Sequence, residues 1–281
     1  MKIKITADST CDIGEALAKK YDVAIIPLFV VMDDKPYRDL VEINPPQIFD
    51  YVSDTGKLCQ TSAVNAALYA EEFAKYAKDH DAVIHINLSS SLSVCHQNAK
   101  IAAEEFDNVY VVDSLNLSTG SGLIVLAAAE MAQKGNSAEE IIAFLEKAVK
   151  KAEASFVLDT LLYLQKGGRC SSLAALGANL LKLKPCIEVI DGKMQVGKKY
   201  RGTLTKAIEM YISDRLTNRD DIDYSRIFIT HTAVANPDLV KCAEEAVKKY
   251  GKFEEILITS AGCTIANHCG PNCLGILFNR K

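Results

Sequence analysis

The 281-residue sequence has no excess of positive charge: 32 Lys+Arg stand against 36 Asp+Glu, a formal net charge of −4. Proteins that grip nucleic acid do so by neutralising phosphates, and this balance speaks against that class. Long hydrophobic runs are missing as well. The best, residues 23–32 (broken by Pro27) and 122–129, fall short of the roughly 18–20 apolar residues a membrane span needs. No secretory leader is legible, because Asp8 and Asp12 interrupt any apolar core near Lys2 and Lys4. A cytoplasmic protein with no integral membrane segment is therefore expected. The familiar catalytic signatures are absent too. There is no G-x-x-x-x-G-K-[ST] phosphate loop and no H-E-x-x-H, and Gly120-Ser121-Gly122 lacks the spacing of a nucleophile elbow.

Cysteine, by contrast, is plentiful: nine residues, at 11, 59, 95, 170, 186, 242, 263, 269 and 273. An odd number without a leader does not describe a disulfide framework, and reduced thiols are expected. Only Cys269-x₃-Cys273, next to His268, approaches the spacing of zinc ligands, so small buried apolar residues are the simpler reading and no metal is expected.

Apolar residues make up 49% and charged residues 24%, the composition of a globular protein with one large or two ordinary domains. Short β-branched runs alternate with helix-period segments, the rhythm of an α/β protein with a largely parallel sheet. Residues 2–7 read as the first strand, and Asp12 with Glu15 as the cap of the following helix. Residues 23–32 read as a strand pair or bent strand, 61–78 and 91–106 as helices, and Ser137 to Glu140 as a capping box opening a helix that runs to about residue 153. After this point the pattern changes. Gly167-Gly168 ends a short helix, Asp191-Gly192 turns a hairpin over 186–200, and Asn236 caps a helix starting at Pro237. Segments 255–259 and 274–278 complete a second sheet. The expected division is an N-terminal α/β domain, residues 1–154, and a C-terminal α/β domain, residues 155–281.

In open α/β sheets ligands sit where strands give way to helices. Three such turns are rich in hydroxyls, Asp8-Ser9-Thr10, Thr61-Ser62 and Ser89 to Ser93, and a fourth follows Asp113-Ser114, where Ser118 to Gly122 is built from small residues. Hydroxyls and free backbone N–H groups there suit either a carboxylate or phosphate, or simply the helix itself as caps. Among the five histidines, His85 lies mid-strand and His80 at a solvated helix end. His96 falls early in a helix and His231 ends a strand. His268 stands beside a Gly-Pro turn where a functional side chain could be held.

The stretches Asp8-Ser9-Thr10, Thr61-Ser62, Ser90-Ser91-Leu92-Ser93, Val112-Asp113-Ser114, Tyr163 to Arg169, Lys184-Pro185, Lys199 to Gly202 and His268 to Pro271 occur in the order found in the DegV family. The chain resembles that family from about residue 3 to residue 279. The resemblance implies two α/β domains with one fatty acid buried between them. That family includes the fatty-acid-binding subunit (FakB-like) of bacterial fatty acid kinase. It implies a non-enzymatic carrier whose long-chain fatty acid has its carboxylate held by Thr61, Ser62, Ser93 and His268, with no cofactor besides that ligand. Arg169 and Arg201 match arginines that dock the separate ATP-dependent kinase subunit, which forms an acyl phosphate. The sequence departs from the family pattern at Val94-Cys95-His96, Ala63-Val64-Asn65 and Cys269 to Cys273, which points to a different local pocket shape. Two other classes compete: a Ser/His hydrolase or acyltransferase built on Ser93 and His268, and a thiol-rich metal or redox protein using Cys95, Cys269 or Cys273.

Overall fold

The structure is a computed structural model describing residues 1–176, 183–232 and 237–281. The chain begins with β1 (Ile3–Asp8), α1 (Gly14–Lys20) and β2 (Val23–Ile26). It then makes an excursion through β3 (Phe29–Met32), β4 (Lys35–Arg38), α2 (Pro45–Thr55) and β5 (Gln60–Ser62). It returns through α3 (Ala66–Ala77), β6 (Ala82–Asn87), α4 (Cys95–Ala103), β7 (Val109–Asp113), α5 (Ser118–Gln133) and α6 (Ala138–Ala148). The remainder runs β8 (Ala152–Val157), α7 (Leu162–Gly167), β9 (Leu183–Ile190), β10 (Lys193–Arg201), α8 (Leu204–Leu216), β11 (Ile222–His231), α9 (Asp238–Tyr250), β12 (Glu255–Ser260), α10 (Cys263–Cys269) and β13 (Leu274–Arg280).

Three sheets result. The first is parallel, in the order β2-β1-β6-β7. β6 is buried along its whole length, as a central parallel strand covered on both faces must be. The second is mixed, in the order β10-β9-β8-β13-β11-β12, with β13 inserted antiparallel between β8 and β11. The excursion forms a small antiparallel sheet, β4-β3-β5.

The two large sheets share a core. α5 is apolar and small on nearly every side, and a helix with that composition has to be buried all round. It packs on β1 and β6 of one sheet and on β8, β11 and β13 of the other. The resulting cluster joins Ile5, Ile84 and Leu123 to Phe228 and Leu277. Gly122 makes the fit possible, because a Cβ there would lie 2.7 Å from the Cys11 carbonyl oxygen. Residue 154 falls inside β8, next to this shared core.

Local expectations met different fates. The Ser137–Glu140 capping box is present, but its helix stops at Ala148 and Glu153 lies on β8. The Asp191-Gly192 turn has positive φ at both residues, as a tight hairpin requires. Residues 23–32 divide between two sheets. Thr61 and Ser62 belong to a strand and not to a helix, which starts only at Ala66 because Asn65 caps it through the Leu68 N–H. Residues 91–94 are likewise a turn, closed by Leu92 and Ser93 N–H bonds to the Ser89 carbonyl, and the helix begins at Cys95. Asp12 does not cap α1: it is left-handed, at φ 51°, and its carboxyl group faces the interior. The expected cap at Asn236 lies outside the described residues.

Candidate functional site

The segments that follow β2 and β6, on either side of the point between β1 and β6 where the strand order reverses, open onto a cavity of about 590 Å³. Its walls mix apolar side chains (Leu28, Leu88, Leu92, Leu117, Met194 and Ile265) with the hydroxyl turns on either side. The volume falls within the ~300–1,000 Å³ common for small-molecule sites.

Every element around the cavity is fixed by a specific contact. Thr61 sits on β5 opposite Val30, and its Oγ1 lies 2.9 Å from His268 Nε2, a bond between residues 207 apart in sequence. His268 is held in the last turn of α10 and not in the Gly-Pro turn that follows. α10 itself is gripped at its start by two buried carboxyl groups. Asp39 accepts from the N–H groups of Cys263 (2.7 Å) and Thr264 (3.2 Å), and Asp12 accepts from Gly262 N–H (2.8 Å) and the Ser118 hydroxyl (2.5 Å). Orphan N–H groups at a helix start need such acceptors. Burial pushes the Asp12 carboxyl up to about 8, against the lowering effect of its donors Ser118 and Gly262. Burial, with help from the nearby Arg169 charge, takes His268 down to about 4, so the imidazole is neutral at pH 7.

Ser62 and Ser93 also line the cavity. Ser93 Oγ accepts from Cys95 N–H (3.2 Å) and donates to the Cys95 sulfur (3.2 Å). Behind it runs a buried polar chain. The Tyr69 hydroxyl donates to Asp8 (2.6 Å), Asn87 donates to the same carboxylate (3.1 Å), and His85 bonds Thr6 (2.8 Å). Ser89 Oγ donates to the Gly192 carbonyl (2.8 Å), which ties the β9–β10 hairpin turn to the loop after β6.

Thr61, Ser62, Ser93 and His268 thus converge on one cavity. Arg169 joins them, lining the same wall, whereas Arg201 is exposed at the end of β10 and lines no part of it. His85 proves a hydrogen-bonded core residue. His96, half-buried in the first turn of α4, is lowered by desolvation. The sequence offered no sign of Asp39, whose role depends on the distant helix it caps. It showed Gly167 only as a helix end, yet a Cβ at Gly167 would stand 2.2 Å from His268 Nδ1.

His268 Nε2 engages Thr61, and Ser93 engages Cys95, so no serine–imidazole pair is formed among the described contacts. Eight of the nine thiols are buried, and none is paired in a disulfide. Burial pushes Cys95 up to about 11 and both Cys11 and Cys186 up to about 12, which leaves them protonated and poorly nucleophilic. Among the described residues no group of three or more His, Cys, Asp or Glu is placed to hold a metal ion. No described helix is long and apolar enough to cross a membrane.

The sequence profile described as "Uncharacterised protein, DegV family" matches residues 2–281. A curated "Fatty acid-binding protein" of Thermotoga maritima is 32% identical over 282 residues, covering 98% of this chain and 96% of its own. Among solved structures, one titled as fatty acid binding of a DegV family protein from Thermus thermophilus superposes with a TM-score of 0.90 at 29% identity, covering 100% of both chains. DegV of Bacillus subtilis, whose crystal structure is described as that of a fatty acid binding protein, superposes with a TM-score of 0.83 at 30% identity, again over 100% of both chains.

Proposed function

Because the chain belongs to the DegV family, we propose that it is a fatty-acid carrier of the cytoplasm, holding one long-chain fatty acid in the cavity beside Thr61 and His268. The observation that carries this reading is the Thr61–His268 bond set in the wall of a cavity that combines apolar side chains with hydroxyl-bearing turns. With Nε2–H donating to the Thr61 oxygen, the Thr61 hydroxyl is free to donate to a carboxylate, and Ser93 and Ser62 stand on the same lining to add donors. Donors of this kind offset the desolvation of a carboxylate and fix its orientation. Burying about 15 methylenes is worth on the order of 10 kcal/mol before the costs of binding, so the tail supplies affinity and the hydroxyls supply direction.

Such a carrier needs no nucleophile. It would hand its carboxylate to a separate ATP-using kinase subunit, with Arg169 beside the site and Arg201, exposed at the end of β10, as docking cations. The reading also keeps two α/β units, dividing near residue 154, with the ligand lodged between them.

The test is direct. Delipidated protein should bind hexadecanoic acid saturably, and protein extracted from a bacterial host should release fatty acid detectable by mass spectrometry. Thr61→Ala should weaken binding about 10- to 100-fold, the worth of a hydrogen bond to a charged group. Absence of saturable binding by the wild type would falsify the proposal.

A further inference from the structure

Cys269 lines the large cavity of Thr61 and His268, and it also lines a second, much smaller hollow of about 20 Å³. Leu117 and Ile265 likewise border both, so these three side chains form the partition between them. Cys273 lines the small hollow and not the large cavity, beside Phe156, Gly275 and Leu277. Both cysteines are only 5% exposed, so the large cavity is the approach to the pair, through Cys269.

The backbone between the two brings their side chains together. α10 ends at Cys269, Gly270 and Asn272 take positive φ (74° and 58°), and the chain turns at once into β13. Thr232, just past β11, pins this turn. Its hydroxyl donates to the Gly270 carbonyl (2.7 Å) and accepts from Cys273 N–H (3.0 Å), while its own N–H donates to the Cys273 carbonyl (3.0 Å). The two thiols come within hydrogen-bonding reach of each other. Burial, and then the Cys269 sulfur beside it, hold the Cys273 thiol well above its usual range, so Cys273 keeps its proton and Cys269 is the sulfur placed to meet a reactant. Cys186 is a more distant influence on Cys273 and lines neither cavity.

We propose that Cys269 and Cys273 are a redox site: a hydroperoxide entering the large cavity oxidises the pair to a disulfide, and a bound fatty acid keeps it out. The step balances with the peroxide as the only oxidant. The Cys269 sulfur attacks one peroxide oxygen, the O–O bond breaks, and an alcohol or water leaves with the thiol proton, so that Cys269 becomes a sulfenic acid. The Cys273 sulfur then attacks Cys269, forming the S–S bond and releasing water. A pair of electrons has passed from the thiols to the peroxide. The exclusion by fatty acid rests on the carrier reading, because the ligand lodged in the large cavity covers Cys269; the disulfide does not rest on it.

The test uses the delipidated chain carrying Cys242→Ser, which removes the one thiol that is not buried. It is exposed to hydrogen peroxide or to linoleic acid hydroperoxide, with and without hexadecanoic acid, then denatured, alkylated and mapped by tandem mass spectrometry. Cys269 and Cys273 should resist alkylation in a peptide two hydrogens lighter, with Cys263 of the same peptide still alkylated. Hexadecanoic acid at 100 times its dissociation constant leaves about 1% of the chain empty, so oxidation by hydrogen peroxide should slow about 100-fold. Cys273→Ser should stop at a Cys269 sulfenic acid that dimedone traps, and the map of the parent chain decides the matter even where this variant does not fold. Faster oxidation by the lipid hydroperoxide assigns a lipid oxidant and faster oxidation by hydrogen peroxide a small one, and either supports the pair. Both thiols still alkylated, or a disulfide from Cys273 to Cys186, overturns the redox site. A rate unchanged by hexadecanoic acid that calorimetry shows to be bound overturns the exclusion. Hexadecanoic acid that does not bind, with the disulfide still forming, overturns the carrier reading and not the thiol pair.

Discussion

At the scale of single residues, two buried titratable groups set opposite pH dependences. An unfolded Asp loses its proton near 3.9, whereas Asp12 holds its proton up to about 8 in the fold. Between those values only the unfolded chain releases the proton, so this contribution to stability is complete below about pH 4 and is lost as pH rises towards 8. Asp12→Asn should keep both neighbours bonded and flatten that slope, whereas Asp12→Ala should cost about 1–3 kcal/mol by leaving Gly262 N–H and Ser118 unpaired. Urea titrations across that range would decide it, an unchanged slope in Asp12→Asn counting against the assignment. His268 runs the other way. Its folded value near 4 means that the unfolded chain takes up a proton first as pH falls through about 6.5, so its contribution disappears between there and about 4. An imidazole resonance titrating near 6.5 in the folded protein would contradict the buried, neutral ring. Much of this scale was legible in sequence: Thr61, Ser93 and His268 carry the polar groups that a carboxylate needs, and they stand in recognisable stretches. Asp12 was misread as a local cap because it precedes a helix, and nothing in the string says that its φ is positive or that its partners are residues 118 and 262.

At the scale of elements, α10 is the part on which the site turns. It is short, and its orientation comes from outside, through Asp39 and Asp12 at its start and the bare backbone of Gly167 at its end. Gly167→Ala should therefore push the imidazole away from Thr61 and weaken fatty-acid binding at least as much as Thr61→Ala does, with little change in secondary structure; unaltered affinity would show that the ring can move without cost. The capping box of α6 offers the contrasting case. Ser137→Ala should lower stability by about 1 kcal/mol and leave binding untouched, because α6 lines neither cavity. Strands and long helices were readable from periodicity, and the hairpin from Asp191-Gly192. Of the excursion only β3 fell within an expected strand; β4 and β5 did not, because these short strands pair only with β3 and Thr61-Ser62 resembles a helix start as much as a strand.

At the scale of the whole molecule, the core built on α5 belongs to both sheets, and polar links reinforce it, among them Thr119 with Thr230 and Arg226 with Glu130. Thermal unfolding should accordingly be a single transition, and fragments 1–154 and 155–281 should each fail to fold alone, since each would expose half of that core. Two separated calorimetric peaks would show instead that the sheets melt independently. A bound fatty acid present at 100 times its dissociation constant should add about 2.7 kcal/mol and raise the transition by several degrees. The Thr61–His268 bond has one more consequence, in time. Its partners are separated by 207 residues, which at about 5–20 residues per second leaves about 10–40 s of synthesis between them. Throughout that interval a ribosome-bound chain has the hydroxyl without the imidazole that orients it, so on the carrier reading a truncated product would lack the anchor for a carboxylate. Lipid capture would thereby report that translation has run to the far side of the fold.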